Sequence, residues 1–439
     1  MIVTDQYEPM VGGVPTVTRD LARGLSERGH AVAVVAPSAT RRGRRDRRAD
    51  GPAVDLRGSV PWPWYEGQRL GLLPPGRARE LMAGFAPDVV HLHSPLTLGL
   101  AARAAARRRA VPVVYTNHYL PLNVWPAAAH GPARPGTGRA GTGPAGAGPR
   151  ARDRVRDGAF YACVTGFANR CDQVTAPTAT ALRLLRDHGL RVPSQAVSNG
   201  VDLRRFSPGP RDAGLRSRHA LPPGRPMVLS VGRLSEEKRA DVLIAAMARL
   251  DGAGDDGPLL VLAGAGPEGD RLRSLARHYG VADRVRFLGF VPDGDLPGLY
   301  RLADVFAIAS QAELQSLATM AAMASGLPVV AADAGALGEL VHPGENGFLI
   351  RPGNPVEMAA RLGQLCRDPG LRARMAQASS RIIGEHDQNR VLVRWESIYR
   401  ALARPGAGDT PAARARAAAA KSAAAKTPRR KTAAGEKNK

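Results

Sequence analysis

Arg233 and Lys238 are of the right types, at the right spacing, to do chemistry on a phosphate. Residues 228–250, VLSVGRLSEEKRADVLIAAMARL, read as an apolar strand, a turn at Gly232 and a helical run, with the two cations around the turn. At the carboxyl end of a strand they can converge on one diphosphate, the guanidinium by its fork and the ammonium as a point charge. Two solvated surface charges are the alternative. The carboxyl edge of a sheet, where open α/β folds bind ligands, favours the diphosphate. Residues 312–330, AELQSLATMAAMASGLPVV, place one carboxylate, Glu313, at another strand-to-helix junction, ahead of a helix of small residues. Near the start, EPMVGGVPTVTRDLARGL (8–25) sets Gly12 and Gly13 between a strand and a helix, where backbone can approach a phosphate and helix amides point at it. A plain tight turn accounts for that glycine pair equally well.

Such residues need strands and helices to hold them. Short apolar runs alternate with segments of helical periodicity, the pattern of βαβ units and a parallel sheet. One set of strands is predicted at 1–4, 31–37, 53–56, 88–93, 111–116, 173–177 and 194–199. A second is predicted at 226–232, 258–264, 285–290, 304–310, 328–332 and 347–350. Two sets predict an α/β protein of two doubly wound domains, one over 1–206 and one over 227–385. The Pro-, Gly- and Arg-rich segment 207–226 reads as the linker. Residues 386–403 are expected to form a helix packing back towards the N-terminal domain, and 404–439 a disordered basic tail. The stretch 131–154 reads as a low-complexity insertion unable to pack a core. The first strand is short, so either the true start lies upstream of Met1 or the strand is frayed.

A chain of 439 residues exceeds one ordinary core, and 44% hydrophobic residues suffice to bury two. The net charge is +23, and the body stays strongly basic after the tail's ten Lys or Arg and two acids are set aside. Such a body favours nucleotides, anionic lipid surfaces or nucleic acid. The three cysteines, Cys163, Cys171 and Cys366, give neither a disulfide framework nor metal-ligand spacing. A cytoplasmic location is therefore expected, with no cofactor and no metal site. No apolar run is long enough to span a membrane, and the N-terminus lacks a leader pattern. The tail has no aromatic residues for stacking, so no specific nucleic-acid partner is expected.

Several stretches in order carry a resemblance: VGGV (11–14), VVHLHSP (89–95), YTNHYLP (115–121), SNGVDLRRFSP (198–208), GRLSEEKRADVLI (232–244), LAGAGPEGDRL (262–272), the Glu313 segment and GLPVVAADAGALGELVHPGENGFLI (326–350). Together they resemble the retaining glycosyltransferases of family 4, over about residues 1–403 apart from the insertion. The resemblance implies the GT-B fold, two facing Rossmann-like domains with a deep inter-domain crevice. It also implies transfer of a hexose from a nucleotide-diphosphate sugar, UDP-glucose or GDP-mannose, without an obligatory metal. Position by position it puts Glu313 on donor-sugar hydroxyls and His118 facing the donor sugar. Arg233 and Lys238 fall on the departing diphosphate, whose cradle is the backbone around Gln315, Ser316 and Leu317. Gly12, Gly13, Gly232, Gly264 and Gly266 complete the donor site. Family members carry Glu-x7-Glu here, the second Glu contacting the ribose, whereas position 321 is Ala. Loss of that pair costs roughly 1.5–3 kcal/mol of donor binding, and Ser325, one helical turn on, offers a weaker neutral contact. His91 and His93, alternating on one strand, read as support for the crevice floor.

The acceptor is expected on the first domain, where VPWPWYEGQRLGLLP (60–74) and HYLPLNVW (118–125) are unusually aromatic. Trp62, Trp64, Tyr119 and Asn123 are the candidate contacts. Arginine clusters at 41–48 and 101–109 lie nearby in sequence, a composition suited to an anionic membrane. The expected acceptor is a lipid such as diacylglycerol or phosphatidylinositol, with a soluble small molecule as the alternative. A binding-only relative weakened by Ala321 and a nucleotide-sugar epimerase are the competing functions.

Overall fold

The structure, a computed structural model, describes residues 1–38, 44–47, 51–62, 69–121, 151–250 and 257–403. The first elements are β1 (Ile2–Val3), α1 (Gly13–Glu27), β2 (Ala33–Pro37), β3 (Arg44–Arg47), β4 (Ala53–Arg57), β5 (Ser59–Pro61), β6 (Arg69–Gly71) and α2 (Pro75–Phe85). There follow β7 (Val90–Leu92), α3 (Thr97–Arg108), β8 (Val113–Thr116), α4 (Ala151–Ala168), β9 (Gln173–Ala176), α5 (Ala179–Asp187), β10 (Ser194–Ala196) and α6 (Ala213–Arg218). Next come β11 (Met227–Val231), α7 (Ala240–Met247), β12 (Leu259–Ala263), α8 (Gly269–His278), β13 (Val285–Gly289), α9 (Leu296–Leu302), β14 (Val305–Ile308) and α10 (Leu317–Ala324). The last are β15 (Val329–Ala332), β16 (Gly347–Ile350), α11 (Pro355–Arg367), α12 (Pro369–Ile383) and α13 (Gln388–Leu402). One compact unit comprises the described residues up to 115 together with 396–403, and the other those from 116 to 395.

One sheet has the order β10-β9-β8-β7-β1-β2-β4-β3, and a second the order β13-β12-β11-β14-β15-β16. Each predicted strand appears, most of them shortened at one or both ends, while 53–56 extends to Arg57 and 347–350 keeps its bounds. β1 has two residues, pairing with β2 on one side and β7 on the other. Three strands were not anticipated. Arg44–Arg47, inside the predicted arginine cluster, pairs antiparallel with β4 as an edge strand, and β5 and β6 form a separate hairpin. Edge strands tolerate charge because one side faces water. The predicted insertion also ends earlier than expected, since its last residues, 151–154, are helical in α4. Its remainder, 131–150, lies outside the described residues, as do the tail 404–439 and Arg41, Arg42 and Arg48 of the cluster.

The second sheet is apolar on both faces, as a parallel sheet covered by helices must be. Val228, Leu260, Val305 and Val330 pack into one buried cluster, and Leu229, Val261, Phe306 and Val329 into another. Neighbouring residues thus serve opposite faces, the period-two signature of a strand. The predicted linker is not wholly a linker. Asp212 caps α6 by accepting from the Leu215 amide at 3.0 Å, and Leu215 and Leu221 are buried in the second cluster.

Within the first unit, Glu396 of α13 takes Arg28 through both carboxylate oxygens at 2.8 and 3.2 Å, and His30 at 2.9 Å. These partners hold the Glu396 carboxyl down at about 2. His91 Nδ1 lies 2.7 Å from the Tyr399 hydroxyl, and His91 and His93 are both buried. His91 thus helps seat the end of α13, and the His93 ring lies against it at 4.1 Å between centroids.

Candidate functional site

In the second sheet β11 leads on to β12 on one side, while its other neighbour, β14, leads on to β15. The loops leaving β11 and β14 therefore diverge, and ligands of open α/β sheets bind where they part. Arg233 and Lys238 follow β11, and Glu313 follows β14. Gly232 adopts φ 155°, and nothing occupies the space a side chain would fill there. A short 3-10 turn, Glu236–Lys238, then presents Lys238, whose Nζ donates to Glu313 Oε1 at 2.6 Å. Arg233 and Lys238 line one small pocket together with Ser230, Gly232 and Ile308. Arg233 is exposed, whereas Glu313 is only 8% exposed. The predicted charged residues are thus brought together.

Gly264 and Gly266 have a packing reason to be glycine. A Cβ on Gly264 would stand 1.8 Å from the Gly232 carbonyl oxygen, and one on Gly266 2.3 Å from that of Leu234. Their small size lets the loop after β12 lie against the loop that carries Arg233.

The backbone of Glu313 is held from two directions. Gly335, at φ 58°, approaches so closely that a Cβ would stand 2.4 Å from the Glu313 carbonyl oxygen, which accepts the Ala336 amide at 2.9 Å. From the other direction, Thr178 Oγ1 donates to the Leu314 carbonyl at 2.8 Å. Gln315 Oε1 accepts the Asn199 amide at 2.7 Å and Gln315 Nε2 donates to Ser198 Oγ at 3.1 Å, which gives the SNGVD stretch a structural role. Ser316 caps α10 by accepting the Thr319 amide at 3.2 Å. Leu317 opens that helix, so its first amides face the same end as Glu313. Ala321 is buried among apolar neighbours in α10, and the hydroxyl of Ser325 is buried with no hydrogen-bond partner.

His118 follows β8 and is half-buried; burial holds its imidazole down at about 4, so the ring is neutral at neutral pH. Asn117 braces this loop, its side chain meeting the Tyr119 carbonyl at 3.1 Å and amide at 3.3 Å. Tyr119 is itself buried, which leaves little of it to meet an acceptor. Trp64 and Asn123 lie outside the described residues. In the first unit Gly12 and Gly13 form the exposed start of α1, and the indole nitrogen of Trp62 is buried without a hydrogen-bond partner.

Sequence reasoning missed Asp5. It follows β1 and accepts from the Ser94 hydroxyl, from Thr97 Oγ1 at 3.4 Å, and from the amides of Leu98 and Gly71. Burial nevertheless raises its carboxyl to about 6. No local signal marks it, because its partners lie 66 to 93 residues away.

Two Rossmann-like sheets are the architecture of GT-B enzymes, and solved structures agree. Sucrose-phosphate synthase from Thermosynechococcus elongatus superposes with a TM-score of 0.72 at 20% identity, covering 91% of this chain and 98% of its own. Anabaena HepE in complex with UDP-glucose gives 0.69 at 21%, covering 91% and 99%. The Glycosyltransferase Family 4 domain matches residues 11–205, and Glycosyl transferases group 1 matches 213–381. A GDP-mannose-dependent alpha-mannosyltransferase of Mycolicibacterium smegmatis is 33% identical over 80% of this chain and 83% of its own length. The alpha-monoglucosyldiacylglycerol synthase of Streptococcus pneumoniae is 27% identical over 75% and 70%. A D-inositol 3-phosphate glycosyltransferase of Nocardiopsis dassonvillei is 31% identical over 92% of each. The chain belongs to glycosyltransferase family 4.

Proposed function

We propose that this enzyme is a retaining hexosyltransferase that moves a hexose from UDP-glucose or GDP-mannose to a membrane lipid such as diacylglycerol or phosphatidylinositol. The observation that carries the donor half is the Lys238–Glu313 pair beside Arg233 at the parting of the β11 and β14 loops. Breaking a glycosyl phosphate bond builds negative charge on the leaving diphosphate, and fixed cations there stabilise the transition state most. Arg233 and Lys238 supply that charge, so no resident metal is invoked. Glu313 takes sugar hydroxyls, and neutral His118 holds the sugar by a hydrogen bond. Like-face displacement, in which the departing phosphate helps accept the acceptor's proton, gives retention without a second catalytic carboxylate.

The lipid half is supported by relatives whose names include a diacylglycerol glucoside synthase, and by the surface of the first unit. Residues 69–109 hold seven arginines against two acids, and they leave Leu72 and Leu100 about half exposed. The Gly71 and Leu98 amides both bond Asp5, so the two leucines lie within two residues of one carboxylate. Basic charge around exposed leucines fits peripheral contact with an anionic bilayer at the cytoplasmic face. Among the described residues no helix is long and apolar enough to cross a membrane. A polar phosphorylated acceptor is the second reading, favoured by the full-length match to an inositol 3-phosphate enzyme.

The test screens UDP- and GDP-sugars for thermal stabilisation, where a ligand at a hundred times its Kd adds about 2.7 kcal/mol. Sugar transfer from the stabilising donor is then compared on anionic vesicles containing diacylglycerol and on inositol 3-phosphate. Stabilisation by one class and transfer to the vesicles are expected; transfer to inositol phosphate alone selects the second reading, and no stabilisation by any donor overturns both.

A further inference from the structure

We propose that Thr178 and Glu339 are positioning residues that keep the loop bearing His118 in register with the loop bearing Glu313, an inference that rests on Glu313 and Lys238 forming the donor site. All of these residues belong to the second unit.

The end of β8 is tied to β9 twice. Thr116 Oγ1 lies 2.6 Å from Thr175 Oγ1, and the Asn117 amide donates to the Thr175 carbonyl at 2.9 Å. His118 is the next residue. β9 runs on from Thr175 to Thr178, which caps α5 by accepting the Ala181 amide at 3.1 Å. The same hydroxyl donates to the Leu314 carbonyl, one residue beyond Glu313, and both Thr178 and Leu314 are buried. A second route starts at the same helix end. The Ala179 and Thr180 amides donate to the Glu339 carboxylate at 3.1 and 2.6 Å. Glu339 closes the short turn Leu337–Glu339, and the residue before that turn is Ala336, which donates to the Glu313 carbonyl.

Thr178 satisfies one of the free amides at the start of α5 and Glu339 two more, but neither capping role requires the bond from the Thr178 hydroxyl to Leu314 or a carboxylate brought from so far along the chain. The additional bonds span 136 and about 160 residues of sequence; the first ends on the peptide unit that follows Glu313, and the second on the Glu339 side chain, three residues past Ala336, whose amide holds the Glu313 carbonyl. They fix where the Glu313 carboxylate stands relative to the His118 ring, whereas the Arg233–Lys238 loop keeps separate ties, to β11 and through the Gln311 amide to the Glu237 carbonyl at 3.0 Å. Loosening them should therefore spoil the alignment of sugar and reacting groups more than the grip on the diphosphate. Misplacement by about 1 Å is enough to cost on the order of a hundred-fold in rate.

The experiment uses the full chain carrying Thr178→Val, Thr178→Ser, Glu339→Gln or Glu339→Ala. Release of UDP or GDP from UDP-glucose or GDP-mannose gives turnover, calorimetry with UDP and GDP gives affinity, and thermal unfolding gives Tm. Thr178→Val and Glu339→Ala are expected to lower kcat about ten-fold or more with nucleotide affinity within about two-fold of wild type. Thr178→Ser, which restores the hydroxyl, should recover most of the rate, and Glu339→Gln should fall between wild type and Ala. Wild-type kcat in both Val and Ala variants overturns the proposal. So does a fall of kcat matched by falls of affinity and Tm, whether or not Thr178→Ser restores them, since Ser caps a helix as well as Thr and a joint fall marks a helix anchor only. Glu313→Gln and Lys238→Ala run alongside: if these turn over normally, the donor-site assignment itself is wrong.

Discussion

The two sheets each have a place where neighbouring strands send their loops apart, and the chain treats the two differently. In the first, between β1 and β7, the carboxylate is Asp5, and it is used up by Ser94, Thr97 and two backbone amides. In the second, between β11 and β14, the carboxylate is Glu313, bonded to the Lys238 ammonium, which lines a small pocket together with the Arg233 guanidinium. Hydroxyls and amides of a fixed loop make a rigid knot, whereas a lysine can exchange a carboxylate for a phosphate. On the proposed function, the same position in a repeated architecture serves cohesion once and chemistry once.

The largest expected effect comes from the second junction. Lys238→Ala should cut sugar transfer by about 10²–10³-fold, the scale for removing one transition-state charge partner, while Tm moves by only a few degrees. Equal loss of rate and stability, seen by steady-state kinetics and thermal melts, would make the pair a structural one.

A smaller and opposite signature belongs to Asp5, which should act on stability through pH. Its carboxyl stands at about 6 in the folded chain, above an unfolded value near 3.9. Its contribution is then fully present below about pH 4 and lost as pH rises through about 6, roughly 3 kcal/mol in all. Asp5→Asn should flatten that part of the profile, read as urea midpoints between pH 4.5 and 7, with transfer on a soluble acceptor changed little. An unaltered profile would show that another group titrates there.

The smallest effect concerns Ala321. Ala321→Glu should lower the donor KM about ten-fold, bounded by one carboxylate-to-hydroxyl pair. Calorimetry with UDP-glucose and GDP-mannose decides it, and unchanged affinity for both would mean that this buried stretch of α10 does not face the donor.

Legibility followed the range of the interactions. The strands of the second sheet were plain because a doubly covered strand must be apolar throughout, as in Leu259–Ala263 and Val305–Ile308. Lys238 and Glu313 were legible through their junctions, although the bond between them spans 75 residues and no local pattern predicts it. Arg44–Arg47 hid as a strand because its residues look like a solvated charge run, and pairing with β4 overrides that appearance. Asp5, Thr178, Glu339 and Gly335 were invisible for a common reason: each is defined by a distant backbone group that only the folded chain supplies.

Helix α6 bears on how the polypeptide can be divided. Leu215 from that helix sits against Gly298 so tightly that a Cβ there would come within 2.7 Å of it, and Leu221 lies in the same cluster. A fragment beginning at Met227 would abandon both and open an oily hole under α9. The shortest autonomous C-terminal piece must therefore start ahead of Asp212, and a protease acting on the native enzyme should leave this stretch uncut despite its Pro- and Gly-rich lettering.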